Sequence, residues 1–221
     1  MIVVGLTGSI GMGKSTAATM LRRLRVPVHD ADATVHKLLG PKGRAVREVL
    51  AAFPGTGSVE RGIDRPALGR IVFGDPLALK RLERILHPKV GAQEKRFLAA
   101  AARRRVPLVV RDVPLLYETG GEKRCDAVLV VSAPAFLQRQ RVLARKGMTA
   151  ARLGDILAKQ TPDCEKRRLT PYVVETGFGK RHSLKMLLDF VRLIRSRHGT
   201  GTVYSNARSL PRYGNHRPRS G

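Results

Sequence analysis

Leu6-Thr7-Gly8-Ser9-Ile10-Gly11-Met12-Gly13-Lys14-Ser15-Thr16 follows directly on a short apolar run, Ile2-Val3-Val4. Gly8 to Ser15 fit the G-x-x-x-x-G-K-[ST] spacing of a phosphate-binding loop. The glycines Gly8, Gly11 and Gly13 free the backbone to turn its N–H groups toward phosphate oxygens, which side chains there would obstruct. Lys14 can then reach the β- and γ-phosphates, and the Ser15 hydroxyl can ligate Mg²⁺. Ala17, Met20, Leu21 and Leu24 fall on one face of the helix that follows, so its N-terminal dipole points at the phosphates. Strand, glycine loop and helix in this order imply a nucleoside triphosphate site.

Short apolar runs at 2–6, 26–29, 108–110, 127–131 and 172–174 alternate with helical patterns, the signature of an α/β fold with a parallel sheet buried on both faces. Leu184, Leu187, Leu188, Val191 and Ile194 repeat at helical spacing and predict a final helix. Between about 40 and 105 the strand rhythm stops. Helical patterns at 68–73, 77–86 and 90–104 replace it, broken by Pro76 and Pro88, as expected of a helical insertion that binds an acceptor. A second helical pair, near 134–145 and 149–160, carries Arg139, Arg141 and Arg145. The segment 197–221 contains no acidic residue and is expected to be a disordered basic tail.

With 221 residues the chain suits one domain with small insertions, and an apolar share of 43% supports a packed core. The charge is unusual: 42 Lys and Arg against 17 Asp and Glu give +25. Such a field either draws polyanions or decorates a solvated surface, and the spread of basic residues along the whole chain leaves both readings open. Cys125 and Cys164 are too few and too far apart for a zinc site or a disulfide framework. The N-terminus enters strand and loop at once, leaving no room for a signal peptide, and no apolar run approaches the ~20 residues of a membrane span. A cytoplasmic location is expected.

Several residues are candidates for chemistry. The second strand run ends in His29-Asp30-Ala31-Asp32, where an open parallel sheet binds its ligands. Two acids one residue apart point to different sides of an extended chain. Asp30 or Asp32 can cap the next helix, and Asp32 is the candidate to take a proton from an acceptor hydroxyl. Asp112, after the third run, occupies the place of an acid near the Mg²⁺ shell, acting through water. Glu118 is either a site residue or a solvated loop charge. His87 stands at the end of an apolar helix, a position that by itself suits a structural histidine better than a catalytic one. Arg141 and Arg145, four apart on one helical face, are either solvated or part of a lid that neutralises charge on a transferring phosphoryl group.

Taken together, these segments resemble the dephospho-coenzyme A kinase family. The matching stretches are Gly5 to Thr16, Val28-His29-Asp30-Ala31-Asp32, Leu82-Glu83-Arg84-Ile85-Leu86-His87-Pro88, Asp112-Val113-Pro114-Leu115-Leu116-Tyr117-Glu118, Val128 to Val131, and Gln138 to Gln160. They cover about 1–195 in the family's order. The resemblance implies a three-layer α/β/α P-loop kinase over 1–196: a core at 1–39, 106–133 and 170–196, a helical acceptor-binding insertion at 40–105, and a lid at 134–169. It implies ATP and Mg²⁺ as cofactors and transfer of the γ-phosphate to the ribose 3′-hydroxyl of dephospho-CoA. Lys14, Asp32 and Arg141 would be catalytic. Gly11, Met12, Gly13, Lys14, Ser15, Thr16 and Arg145 would hold ATP. His87, Pro88, Leu115, Leu116 and Glu118 would line the acceptor side with Asp32. One departure stands out: Pro171 and Thr176 replace an acid and an Asn common near the family's last strand, which bears on the adenine pocket.

Other readings are weaker. Another P-loop small-molecule or nucleotide kinase would not need the D-A-D and P-L-L-x-E elements. A nucleic-acid-binding ATPase is suggested by charge alone, and the chain has no Trp and few aromatic residues for base stacking. A GTPase would need a guanine-reading Asn-Lys-x-Asp, yet the only asparagines are Asn206 and Asn215. The expected partners are therefore small molecules, with no specific nucleic acid and no membrane.

Overall fold

The computed structural model describes residues 1–197; the expected tail lies outside them except for Arg197, the last residue of the final helix. In chain order the elements begin with β1 (Ile2–Thr7), α1 (Lys14–Arg23), β2 (Val28–Asp30), α2 (Ala31–Leu39) and α3 (Val46–Ala52). A hairpin of β3 (Gly57–Ser58) and β4 (Gly62–Ile63) precedes α4 (Arg65–Val72) and α5 (Pro76–Arg103). The chain continues through β5 (Leu108–Asp112), β6 (Ala127–Ser132), α6 (Ala135–Leu143), α7 (Ala150–Ala158), α8 (Asp163–Arg168), β7 (Tyr172–Glu175) and α9 (Lys180–Arg197). All five expected strand runs form strands, each shifted or extended by one or two residues.

The strands form one sheet in the order β2-β5-β1-β6-β7. β1 pairs in parallel with β5 and β6, and β6 with β7. β2 and β5 therefore lie on one side of β1, and β6 and β7 on the other. The switch of direction falls at β1, whose carboxyl end opens into the phosphate loop, the position where such sheets bind ligands. Val4, Leu6, Val110, Leu129 and Val131 fill the sheet's interior under α1 and α9. The buried face of α9 consists of Ser183, Leu187, Phe190, Val191 and Ile194, whereas Leu184, expected on that face, is 38% exposed. Leu187, Val191 and Ile194 keep the expected face, while Ser183 and Phe190 take the inward places of Leu184 and Leu188, with Phe190 packed edge-on against Tyr172 of β7.

The described residues divide into two compact units, 1–29 with 104–197, and 30–103. The second has its own core, built on Leu38, Val46, Val49, Phe53, Leu68 and Leu86. Its helices start where the sequence offers caps: Asp30 accepts the Ala33 N–H (2.8 Å) and Asp64 accepts the Ala67 N–H (3.1 Å), with Pro66 in the first turn. Two expectations are corrected here. Pro88 does not end a helix; α5 runs through it for 28 residues. The ring removes one N–H and crowds the Arg84 carbonyl, at a cost of roughly 3 kcal/mol, and burial of Leu82 and Leu86 on the same helix outweighs that. His87 consequently sits inside a helix rather than at its end. Among the described residues no helix is long and apolar enough to cross a membrane.

Candidate active site

The loop between β1 and α1 is shaped by positive-φ glycines: Gly11 at 79° and Gly13 at 91°. A side chain is strained at such angles, and a Cβ on Gly11 would also lie 2.6 Å from Val142 Cγ2. Gly13 is the N-cap of α1, and no side chain caps that end. The first-turn amides of α1 therefore lack intrahelical partners and point, with the positive end of the helix dipole, into the loop. Met12 is 2% exposed, its sulfur receiving the Ala133 N–H and its own N–H donating to the Ser9 carbonyl (3.1 Å), so the residue holds the shape of the loop from inside.

Behind the loop stands a grip that no local sequence signal marks. The Ile10 N–H donates to Gln160 Oε1 (3.0 Å), and Gln138 Nε2 donates to the Ile10 carbonyl (2.8 Å). Two glutamines, from α6 and from just beyond α7, thus hold both backbone groups of one loop residue. Both lie in the 138–160 stretch that resembles the family, but their partner is 128 and 150 residues away.

Lys14 opens α1 and its Nζ lies 2.5 Å from Asp112 Oδ1 at the end of β5. Register explains the meeting: Leu6 pairs with Asp112, so the acid ends beside the start of the loop. Asp112 is 3% exposed and Lys14 16%. Ser15 and Thr16 are exposed on the first turn of α1. Arg141 Nη1 donates to Thr176 Oγ1 (3.0 Å) and to the Gly11 carbonyl (3.4 Å), and its Nη2 donates to the Thr176 carbonyl (2.8 Å). Arg145 was expected on the same helical face as Arg141. It is instead beyond the end of α6, which stops at Leu143 with Ala144 as its C-cap. Its N–H tightens to the Val142 carbonyl (3.0 Å), and its side chain is exposed.

The two acids at the end of β2 also differ from expectation. They do not share an extended chain: Asp30 ends the strand as N-cap, and Asp32 is already in the first turn of α2, exposed. The capping alternative is thereby assigned to Asp30. His87 and Pro88 are exposed on α5. Asp32, His87 and Pro88 belong to the second unit, and the phosphate loop, Lys14, Asp112 and Arg141 to the first.

The segment after β5 is divided in its roles. Leu115 is 40% exposed, whereas Leu116 is fully buried, its methyls filling the space above Gly5 and Gly121. Glu118 turns inward. Its Oε1 accepts the Thr161 N–H (2.8 Å) and lies 2.9 Å from the Nζ of Lys166, which is fully buried. Burial pushes the Glu118 carboxyl up, but Lys166 and the N–H groups of Glu118 and Thr161 together hold it below the usual carboxylate range. Ser132 Oγ donates to Asp163 Oδ2 (2.6 Å) at the start of the same helix, α8. These contacts anchor the end of the 134–169 segment to the sheet. Because the folded-state pKa of Glu118 is depressed, its contribution is present above the unfolded value, near 4.3, and is lost as pH falls through the folded value. Glu118→Gln is expected to cost about 3–5 kcal/mol at neutral pH by leaving Lys166 without its carboxylate. Thermal melts should show that difference shrinking on acidification below about pH 4. A gap that does not change with pH would contradict the ion-pair account.

Comparison with known proteins gives this geometry its context. The model of the dephospho-CoA kinase family matches residues 2–179. The chain belongs to that family. A dephospho-CoA kinase of Rhodospirillum rubrum is 61% identical over 195 residues, covering 88% of this chain and 92% of the relative. The dephospho-CoA kinase of Paramagnetospirillum magneticum is 58% identical over 214 residues, 96% of this chain and all of the relative. A crystal structure from Thermus thermophilus superposes with a TM-score of 0.74 at 36% identity, over 87% of this chain and 96% of that one. The fold is shared as well with a dephospho-CoA kinase from Campylobacter jejuni, TM-score 0.65. As a member of a kinase family, the chain uses ATP. A glycine loop leading into an uncapped helix N-terminus is an arrangement suited to anions.

Proposed function

We propose that this chain transfers the γ-phosphoryl group of ATP to the ribose 3′-hydroxyl of dephospho-CoA, giving coenzyme A and ADP. The observation that carries the reading is the convergence of Lys14, Asp112 and Arg141 on an uncapped helix N-terminus, in a chain of this family. The N–H groups of Gly11, Gly13, Lys14, Ser15 and Thr16 cradle the phosphates, while Met12, bonded to Ser9 and Thr176, keeps the loop in shape. The Lys14 ammonium has three donors, so it can keep Asp112 and still meet phosphate oxygens. Arg141 stabilises the charge on the transferring group, with Arg145 as a second cation from the 134–169 lid.

Asp32, exposed at the start of α2, takes the proton of the acceptor hydroxyl as the phosphoryl group arrives. The helical region 40–105, with His87 and Pro88, and the Leu115–Glu118 turn are assigned to the acceptor side, Leu116 and Glu118 there acting through packing and anchoring. The residues fit Mg²⁺: the exposed Ser15 hydroxyl offers one ligand and Asp112 can act through water, the sparse protein set this ion takes beside phosphates. Magnesium bound there would neutralise charge on the β- and γ-phosphate oxygens. The reaction is assigned to the cytoplasm, in keeping with the free thiols Cys125 and Cys164.

A coupled ADP-release assay tests the proposal with dephospho-CoA, other nucleosides and single-stranded DNA side by side. Dephospho-CoA alone should stimulate release, with one 3′-phosphorylated product formed per ADP. Stronger stimulation by a nucleoside or by DNA would overturn it. Arg141→Ala should lower kcat by about 10–100-fold with little rise in the KM for ATP, and Arg145→Ala less, because its side chain is exposed. Equal loss in kcat and in ATP affinity would make Arg141 a simple phosphate clamp.

A further inference from the structure

Thr176 is one of the residues at which the chain departs from the family it resembles. Its geometry gives it a specific task. It lies just past β7, and its N–H donates to the Ser132 carbonyl at the end of β6 (2.8 Å), fixing the residue to the sheet edge. Its hydroxyl donates to the Met12 carbonyl of the phosphate loop (2.7 Å), with the Ser132 carbonyl farther off at 3.3 Å. The same oxygen accepts from Arg141 Nη1 (3.0 Å), and the Thr176 carbonyl accepts from Arg141 Nη2 (2.8 Å). A hydroxyl carries one donor and two acceptor sites, so both bonds form at once. The branched side chain is restricted at χ1, which aims that hydroxyl. It also covers the loop: a Cβ on Gly13 would lie 3.2 Å from Thr176 Oγ1.

We propose that Thr176 is the positioning residue that aims Arg141 at the transferring phosphoryl group and ties that aim to the phosphate loop. A guanidinium has five N–H donors, and three are engaged by Thr176 Oγ1, the Thr176 carbonyl and the Gly11 carbonyl. Among the described residues the remaining two, the Nε–H and one on Nη2, have no hydrogen-bond partner, and together they make a planar fork of the kind that takes phosphate oxygens. The Thr176 hydroxyl thus links loop and arginine, so that an arginine held in place waits over a loop of fixed shape. This inference rests on the reading of Arg141 given above and extends it to a residue that touches no reacting atom.

The test compares Thr176→Val, which keeps the shape and removes the hydroxyl, with Thr176→Ser, which keeps the hydroxyl. Thr176→Val should lower kcat about 10-fold with the KM for ATP within about two-fold of wild type, and Thr176→Ser should recover most of that loss. In an Arg141→Ala background, Thr176→Val should cost less than about two-fold more, because the two act as one unit. Additive losses in that cycle, or a Ser variant as slow as Val with an unchanged melting curve, would overturn the proposal. A readout independent of any acceptor is NMR of the Arg141 guanidinium, assigned by its absence in Arg141→Ala. Hindered rotation in wild type and Thr176→Ser, and averaging in Thr176→Val, is the expected pattern; equal rotation in all three refutes the positioning role. If the guanidinium responds as expected while dephospho-CoA gives no turnover, the substrate assignment fails and the positioning role stands.

Discussion

Lys14→Ala is expected to lower phosphoryl transfer by at least about 10³-fold, the largest single loss in this enzyme. The ammonium stands at the end of the phosphate loop on the first residue of α1, and in the proposed reaction it offsets charge developing on the β- and γ-oxygens. A neutral methyl there provides neither charge nor donors. The substitution also takes the ammonium away from Asp112, a carboxylate only 3% exposed, so a loss of about 1–3 kcal/mol in stability should accompany it. Lys14→Arg separates the two effects, since it keeps the cation beside Asp112 but replaces a point charge with a bulkier planar group. Its melting temperature should stay nearer to wild type while turnover remains low. Near-normal turnover in Lys14→Ala, measured by steady-state ADP release with a folded protein, would refute the assignment of the loop.

Asp32→Asn should lower kcat by roughly 10²–10⁴-fold, the range of a positioned general base, with little effect on ATP affinity. The loss falls toward the lower end if the transition state is largely dissociative and the hydroxyl proton leaves late. The structure makes the test clean. Asp30, not Asp32, caps α2, so the Asn variant keeps the cap and loses at most the interaction of one charge with the helix N-terminus, about 0.3–1 kcal/mol. Stability and catalysis are therefore separable at this residue. Turnover within a few-fold of wild type would leave Asp32 with that electrostatic role alone.

What could be read along the chain was local in its physics. The phosphate loop is legible because its backbone needs φ values that only glycine adopts without strain, followed by a cation and a hydroxyl at fixed offsets. Gly11 and Gly13 have those angles, and Lys14 begins the helix. The strands are legible because a sheet buried on both faces requires unbroken apolar runs, and each run found a place in the sheet. Single residues were read less well where packing competes with local preference. Pro88 carries a local rule against helix, yet α5 continues through it because the helix also buries Leu82 and Leu86. The shared helical face drawn for Arg141 and Arg145 failed because a spacing of four predicts a common face only while the helix lasts, and α6 stops at Leu143.

By itself the sequence determined the α/β class, the phosphate loop and the family to which the chain belongs. Tertiary structure alone decided how that loop is held. Gln138 and Gln160 grip Ile10, Asp112 meets Lys14, Lys166 neutralises Glu118, and Thr176 joins Met12 to Arg141. The reason is physical. A glycine's φ and a strand's apolar pattern are properties of neighbouring residues, fixed before the chain folds. A side-chain hydrogen bond between positions 35 to 164 residues apart exists only once strand order and register have brought its ends together.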